Sequence, residues 1–468
     1  MENTLNNMYS QIKEEKPYRL NDIKITNFEY IQSHVNKVLY IIFFLLLTEG
    51  ILRKWLLPSL DKPLFFIKDI FILYLYLYLA LKRKFPANIW SLIALMFMFL
   101  FLLLINIHYL VMDLPVLVGF YGWRNYVLYI PLAFIIQTYV NNKALKNIGK
   151  MFLWGSIPIT IIAFFQYLSP KDAYINKNVG LNTSSEIFIV ADGVVRPSGT
   201  FAFTTGLVLF TGALFIFIIY NFFLKKEKVV GKLFFYISVF SLIASIALSG
   251  SRSAYVSLGG QIAFLTIGSL LLLRKREGFN IISYIITGSV LFLLVYNTFF
   301  EKQKDLILKR QEIATNAEGS IFNRLSDMVI NLEAINQSNL SPIGAGLGLG
   351  SGGGSHLALG VNQFTLSETE WGRNLLEAGV FLGVSYILFR LALTLYLLFE
   401  SIKTLIYTSN PTPLVAFFYV GVNLFIGPTT GNGLTYSFTW IFLGVALAIN
   451  KVILENKKSQ TLNKLSRH

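Results

Sequence analysis

Residues 88–112, NIWSLIALMFMFLFLLLINIHYLVM, decide the fold class of this chain. The stretch contains no Asp, Glu, Lys or Arg, and it exceeds the roughly 20 apolar residues that cross a hydrocarbon core about 30 Å thick. Comparable runs recur from Val38 to Val452 with short polar gaps between them. The pattern predicts that lipid surrounds most of the chain.

The composition supports the same conclusion, because 54% of the 468 residues are hydrophobic and only 14% are charged. Long unbroken apolar runs exclude the two-residue alternation of a membrane barrel, and an open sheet in lipid would leave its edge groups unpaired. We therefore predict an all-α fold, a polytopic transmembrane bundle of about 12 helices. Their predicted positions are 38–52, 64–81, 88–112, 123–140, 150–168, 200–224, 232–250, 253–273, 280–300, 371–399, 412–428 and 434–452.

The net charge of +15 comes from short Lys and Arg clusters between apolar runs, which predict topology rather than nucleic-acid binding. The chain has no cysteine, and its start lacks the pattern of a signal peptide. We expect residues 1–37 and 453–468 to be cytoplasmic tails and residues 38–452 to form one transmembrane domain. The clusters assigned to the cytoplasmic side are 82–84, 143–150, 225–228 and 274–276.

The connection 301–370 between the ninth and tenth predicted helices is far longer than a bundle requires, and we place it outside the cytoplasm. Residues 318–338 have the apolar spacing of an amphipathic helix, and a glycine-rich segment follows at 344–355. Several basic residues on this predicted outer side, among them Arg53 and Lys54, run against the positive-inside trend and need a reason.

Arg252 lies in ALSGSRSAYVSLGG, residues 247–260, where small residues surround the charge between two apolar runs. Small neighbours and a helix start would let a diphosphate approach the guanidinium. The alternative is an arginine at a helix end that reaches lipid headgroups. Four further arginines on the predicted outer face would add to the same anion site, although each alone also fits a surface role: Arg124, Arg196, Arg310 and Arg324.

The segment 366–384, LSETEWGRNLLEAGVFLGV, places four ionisable residues around the start of the tenth predicted helix. Glu368 and Glu370 are our candidate catalytic bases, because a partly buried carboxylate can accept the proton of a sugar hydroxyl. The alternative is a structural role in which Arg373 pairs with Glu370 or Glu377 at helical spacing and the carboxylates complement the helix dipole.

Other polar residues give weaker signals. His356 follows the glycines and is more often incidental in such a position, and the glycine segment lacks the ending of a nucleotide-binding P-loop. Lys68 and Asp69 lie inside an apolar run, and we interpret them as structural charges neutralised within the bundle or lining a cavity. No residue grouping has metal-ligand spacing, and we expect neither a metal nor any other cofactor.

The sequence resembles the O-antigen ligase and polymerase superfamily of bacterial membrane glycosyltransferases. The resemblance rests on SGSRSA at 249–254, the long loop with Arg324, PIGAGLG at 342–348 and LLEAGVFLG at 375–383, and it covers mostly residues 195–400. EGILRKWLLPSLDKPLFFIKD at 49–69 and YGWRNYVLYIPLAF at 121–134 resemble a subgroup of that superfamily.

The resemblance implies a metal-independent enzyme of the GT-C type in the bacterial cytoplasmic membrane. Such an enzyme transfers a polyprenyl-diphosphate-linked glycan to an acceptor hydroxyl with inversion. By position, Arg252 and Arg324 match arginines of the family, and Arg196 is a looser match. Ligases place a histidine about nine residues before the Glu of the E-x-G segment, where this chain has Glu368. That departure favours a polymerase.

We therefore expect polymerisation of lipid-linked repeat units into surface polysaccharide. The partners would be a lipid-linked donor, a glycan acceptor, membrane lipids and polysaccharide assembly proteins. Ligation of the glycan to a lipid or protein acceptor is the second hypothesis. A transporter of lipid-linked sugars or anions and a non-catalytic assembly partner remain as alternatives from other classes.

Overall fold

The computed structural model of the protein describes residues 20–179, 195–224, 228–272, 340–360, 366–367 and 369–465, and isolated residues between 279 and 298. These residues form α-helices joined mostly by short connections. The helices are α1 Leu20–Ile51, α2 Asp61–Phe65, α3 Ile67–Leu81, α4 Ile89–Met112, α5 Val116–Val127, α6 Ile130–Tyr139, α7 Asn142–Leu168, α8 Thr204–Phe223, α9 Lys232–Ser249, α10 Arg252–Leu271, α11 Gly352–Leu359, α12 Glu370–Thr408, α13 Thr412–Phe425 and α14 Gly433–Leu465.

The chain is a helical membrane protein. In the described part, nine helical stretches are long and apolar enough to cross a bilayer, and α13 is a shorter apolar helix. Large apolar side chains such as Phe99 and Leu110 remain 60% and 78% exposed on the outer helices, where they face lipid. The all-α prediction is confirmed to this extent.

Two helices form the centre of the bundle. In α8 and α14, 89% of the most apolar stretch is buried, against 33% in α4. Small residues allow close helix packing there: a Cβ at Gly212 would lie 2.5 Å from the ring of Tyr419, whose hydroxyl donates to the Leu209 carbonyl at 2.9 Å. The central helices therefore fix the positions of the outer ones.

The described connections lie at two ends of the bundle. At the end that we call the basic end, Tyr139 donates to the carbonyl of Lys84 at 2.6 Å, and Lys451 donates to two carbonyls of the same region at 2.9 Å. At the opposite polar end, Lys54 bonds to Ser198 at 2.9 Å. The polar end comprises the connections at 52–66, 113–115, 169–179, 195–203, 250–251, 340–350 and 426–432.

Two predicted helix bounds, the start of α1 and the end of α14, were wrong for the same reason. Helix α1 begins at Leu20 rather than near residue 38, and α14 continues to Leu465 instead of ending near residue 452. Hydropathy marks only the part of a helix that lies in lipid, while the backbone bonds continue into the polar flanks.

The predicted helix 123–140 is also two helices, α5 and α6, broken at residues 128–129. Pro131 lies in the first turn of α6, and the N–H of Tyr129 donates to the Tyr436 hydroxyl at 2.7 Å instead of to an intrahelical carbonyl. Most of the predicted helix 280–300 and all of the amphipathic segment 318–338 lie outside the described residues.

Candidate functional site at the polar end

Buried ion pairs and hydrogen bonds account for Arg53, Lys54 and Arg124, three of the basic residues that run against the positive-inside trend. Arg53 is 6% exposed and bonds to Glu49 at 2.8 Å and to Asp61 at 2.6 Å. Lys68 also pairs with Glu49. Arg53 and Lys54 lie in a π-helical turn, Leu52–Leu56, that ends α1 and turns both side chains inward. These cations therefore stabilise the corner between α1 and α3.

Arg124 forms a second buried pair. Its Nε donates to Asp69 at 2.5 Å, and Tyr129 donates to the other oxygen of the same carboxylate at 2.7 Å. The ring of Phe65 lies between Arg124 and Arg53, with guanidinium carbons 4.4 and 5.0 Å from its centroid. The prediction that Lys68 and Asp69 are neutralised within the bundle is confirmed. Arg124, predicted to bind diphosphate, is 5% exposed and bound to protein groups.

The chain from 195 to 200 is held against α1 and α7. Lys54 donates to Ser198 and to the carbonyl of Gly199, both at 2.9 Å. The side-chain oxygen of Gln166 accepts the N–H groups of Ser198 and Gly199 at 3.1 and 2.7 Å, and Thr200 donates to the Leu47 carbonyl at 2.6 Å. This segment is thus a rigid platform that carries Arg196.

Arg196 and Arg252 meet at the turn between α9 and α10. The Nε of Arg196 lies 3.5 Å from the Ser249 carbonyl, and Arg252 is the first residue of α10, three positions later. Gly250 has φ +54°, the left-handed conformation that lets α9 end and α10 begin within two residues. Both arginines are half-buried, whereas Arg53 and Arg124 are buried. The turn therefore places two half-buried arginines beside a helix start.

Helix α12 is two helices joined at Gly379. A straight helix would separate residues 370 and 390 by about 30 Å, yet Arg390 donates to Glu370 at 2.7 Å. Gly379 has φ +77° and ψ 175°, so the part before it, residues 370–378, folds back against the part after it. The predicted single helix 371–399 was wrong at this point, because glycine admits a left-handed reversal that hydropathy does not register.

Glu370 joins three segments of the chain. Its carboxylate is 2% exposed, and it accepts from Arg390 at 2.7 Å, from the Thr429 hydroxyl at 2.7 Å and from the Thr430 N–H at 3.0 Å. Arg373 lies 3.4 Å away, as the spacing predicted. These contacts give Glu370 a structural role, and its catalytic role stays a prediction.

The glycine-rich segment docks on the reversal in α12. Glu377 accepts the N–H groups of Gly348 at 3.2 Å and Gly350 at 2.5 Å. Ala345 donates to the Leu376 carbonyl at 2.7 Å, and a Cβ at Gly379 would lie 2.2 Å from the Pro342 carbonyl oxygen. The segment thereby supplies partners for backbone groups that the break in the helix leaves unpaired.

His108 fixes the other side of this segment. Its Nδ1 accepts the N–H of Leu347 at 3.1 Å, and its Nε2 lies 2.7 Å from the Ile343 carbonyl oxygen. Gly348 packs on Gly122 of α5, where a Cβ at residue 122 would lie 2.6 Å from the Gly348 nitrogen. His356 is exposed, on the short helix α11. The glycine segment is therefore a packed element of the polar end.

The structure places the sequence-predicted residues in different settings. Arg196 and Arg252 come together, while Arg124 and Glu370 lie in separate buried networks. Glu368, Arg310 and Arg324 lie outside the described residues. Sequence reasoning missed Glu49, His108 and Arg390, which appeared as isolated polar residues in or beside apolar runs, the pattern that marks a charge needing a partner.

The chemistry available at this end is anion binding by guanidinium groups at the start of α10, beside a rigid framework of buried ion pairs. Comparisons of this chain with protein families, with curated proteins and with solved structures each find no match.

Proposed function

We propose that the chain is a membrane glycosyltransferase that polymerises polyprenyl-diphosphate-linked oligosaccharide repeat units into surface polysaccharide. A hydroxyl oxygen of one lipid-linked unit attacks the anomeric carbon of another. The bond from that carbon to the diphosphate oxygen breaks, and the diphosphate leaves with the electron pair. A carboxylate accepts the hydroxyl proton, so the proposed reaction balances without a cofactor.

The observation that carries this proposal is the turn at 249–252, where two half-buried guanidinium groups adjoin the first turn of α10. A leaving diphosphate gains charge as the bond breaks, and fixed donors in a partly dry site stabilise that charge. Arginine suits this role because its planar fork binds phosphate oxygens bidentately and stays protonated. The same groups would also suit lipid headgroups, so the test has to separate binding from chemistry.

We assign the base to Glu368, which precedes Glu370 by two residues. Glu370 accepts hydrogen bonds from Arg390, Thr429 and Thr430, so its carboxylate is already bound by protein groups. In this assignment Glu370 is a positioning residue that anchors the chain next to the base. Arg324 and Arg310 would add charge to the diphosphate site from the long loop.

We further propose membership of the O-antigen ligase and polymerase superfamily, with about 12 membrane helices and a large extracytoplasmic loop at 301–370. The polar end would then face away from the cytoplasm of a bacterium, and both termini would lie inside. Since the chain has no cysteine, Lys84→Cys and Lys171→Cys each introduce one thiol at the basic and polar ends. An impermeant maleimide should label only Lys171→Cys in intact spheroplasts.

The proposed activity is tested in a deletion strain complemented with wild type, Arg252→Ala, Glu368→Ala or the control Lys171→Ala, at matched expression. Lys171 is exposed at the polar end and belongs to no described ion pair. Glycan gels should show single repeat units on lipid in the deletion strain, and long chains only with wild type and the control.

Other gel patterns would overturn the proposal. Long chains that accumulate on the lipid carrier without reaching their acceptor would identify a ligase. An unchanged glycan profile would point to transport or another role. If Glu368→Ala restored long chains, the base would have to be another group.

A further inference from the structure

An open groove of about 490 Å³ lies at the basic end, between α7 and the connection from α8 to α9. It is on the opposite end of the bundle from the proposed diphosphate site. Its lining residues are Lys150, Met151, Trp154, Val229, Val230 and Gly231.

Hydrogen bonds hold residues 228–230 of the connection, which form part of one wall. Asn221 accepts the N–H groups of Val229 and Val230 at 2.7 and 3.3 Å, and Lys228 donates to the Phe222 carbonyl at 2.9 Å. Val229 and Val230 are buried as a result. Hydrogen bonds to the backbone therefore fix this wall of the groove.

The opposite wall combines an aromatic and a cationic side chain. Trp154 is 52% exposed and stacks on Phe234 with ring centroids 4.2 Å apart. Tryptophan is enriched where hydrocarbon meets headgroups, and Trp154 lies one turn further along α7 than Lys150. Lys150 is exposed at the rim, and among the described lining residues it is the charged one. A groove with this lining attracts a ligand that has an anionic headgroup and an apolar tail.

The apolar surface beside the groove continues along α7. Ile161 is 50% exposed and lies seven residues after Trp154, on the same face of α7. At Gly231, which precedes α9, a Cβ would meet nothing within 4 Å, so the groove is open at this residue.

We propose that this groove binds the phosphate headgroup of an anionic glycerophospholipid from the leaflet at the basic end, with the acyl chains along α7 and α9. The lysines of the basic end favour an anionic lipid over a zwitterionic one, because each basic side chain near the surface attracts negative charge. The inference does not depend on the proposed enzymatic function.

Native mass spectrometry of the full-length protein in detergent tests this site. Phosphatidylglycerol and phosphatidylethanolamine of equal chain length are titrated separately into wild type, Lys150→Ala and Lys82→Ala. Lys82 is exposed at the same end, between α3 and α4, and does not line the groove, so its variant is the matched control. Phosphatidylglycerol should bind wild type more tightly, and Lys150→Ala should weaken it by about fivefold while Lys82→Ala leaves it unchanged.

A second variant separates the groove from general surface charge. Trp154→Ala removes the apolar wall without changing charge, and it should also weaken phosphatidylglycerol binding. Equal affinity for the two lipids, or equal losses in Lys150→Ala and Lys82→Ala, would overturn the proposal. So would unchanged binding in Trp154→Ala, since the lipid would then be held by charge alone.

Discussion

Replacing Glu370 by Gln should destabilise the protein severely. The Glu370 side chain is 2% exposed and lies 2.7 Å from Arg390 and 3.4 Å from Arg373, so the change removes the carboxylate that pairs with the buried Arg390 guanidinium. Removing one partner of a buried pair costs about 3–5 kcal/mol. At about 2 °C per kcal/mol for a large chain, the melting temperature should fall by about 6–10 °C.

The matched control is Glu400→Gln on the same helix. Glu400 faces Lys403 at 3.6 Å, and the lysine side chain is 59% exposed, so loss of that pair should cost at most about 1 kcal/mol. Thermal unfolding of both detergent-solubilised variants can be followed through the six tryptophans. Equal melting temperatures for the two variants would refute the structural role of Glu370. Full stability of Glu370→Gln with loss of polymerisation would instead favour Glu370 as the base.

Two further predictions concern the framework. Gly379→Ala should lower the melting temperature by several degrees, because φ is +77° and the new Cβ would lie 2.2 Å from the Pro342 oxygen; Gly259→Ala, where a Cβ meets nothing within 4 Å, should leave it nearly unchanged. Asp69→Asn should cost about 3 kcal/mol, and adding Arg124→Met should recover at least about 1 kcal/mol, because the uncompensated charge is then gone. Thermal unfolding measures both, and a double variant less stable than Asp69→Asn would contradict the second.

Much of the fold could be predicted from local sequence patterns. Apolar runs were enough to predict apolar helices, and the contact between Tyr139 and Lys84 brings the basic cluster 82–84 next to the connection before α7, as the grouping of basic clusters predicted for these two connections. Helical spacing predicted that Arg373 pairs with Glu370 or Glu377, and the structure shows the pair with Glu370. The apolar runs and this pair need only neighbours along one helix.

The rest of the site depends on contacts between distant parts of the chain. Arg124 pairs with Asp69, 55 residues earlier, and the sequence around either residue does not identify its partner. The reversal of chain direction at Gly379 could not be predicted from the sequence for a related reason. Its residue type permits a turn, but only the docked segment 341–350 makes the turn stable, and that segment comes from a separate stretch of sequence.

Polymerisation by the purified protein is the most direct test of the central proposal. Lipid-linked oligosaccharide extracted from the deletion strain is incubated with wild type, Arg252→Ala or Lys171→Ala in proteoliposomes, after each variant is shown to melt at the wild-type temperature. Wild type and Lys171→Ala should convert single units into a ladder of longer chains, and Arg252→Ala should not. If folded wild-type protein leaves the single units unchanged, or if Arg252→Ala forms the same ladder, the proposed reaction at the turn between α9 and α10 is contradicted.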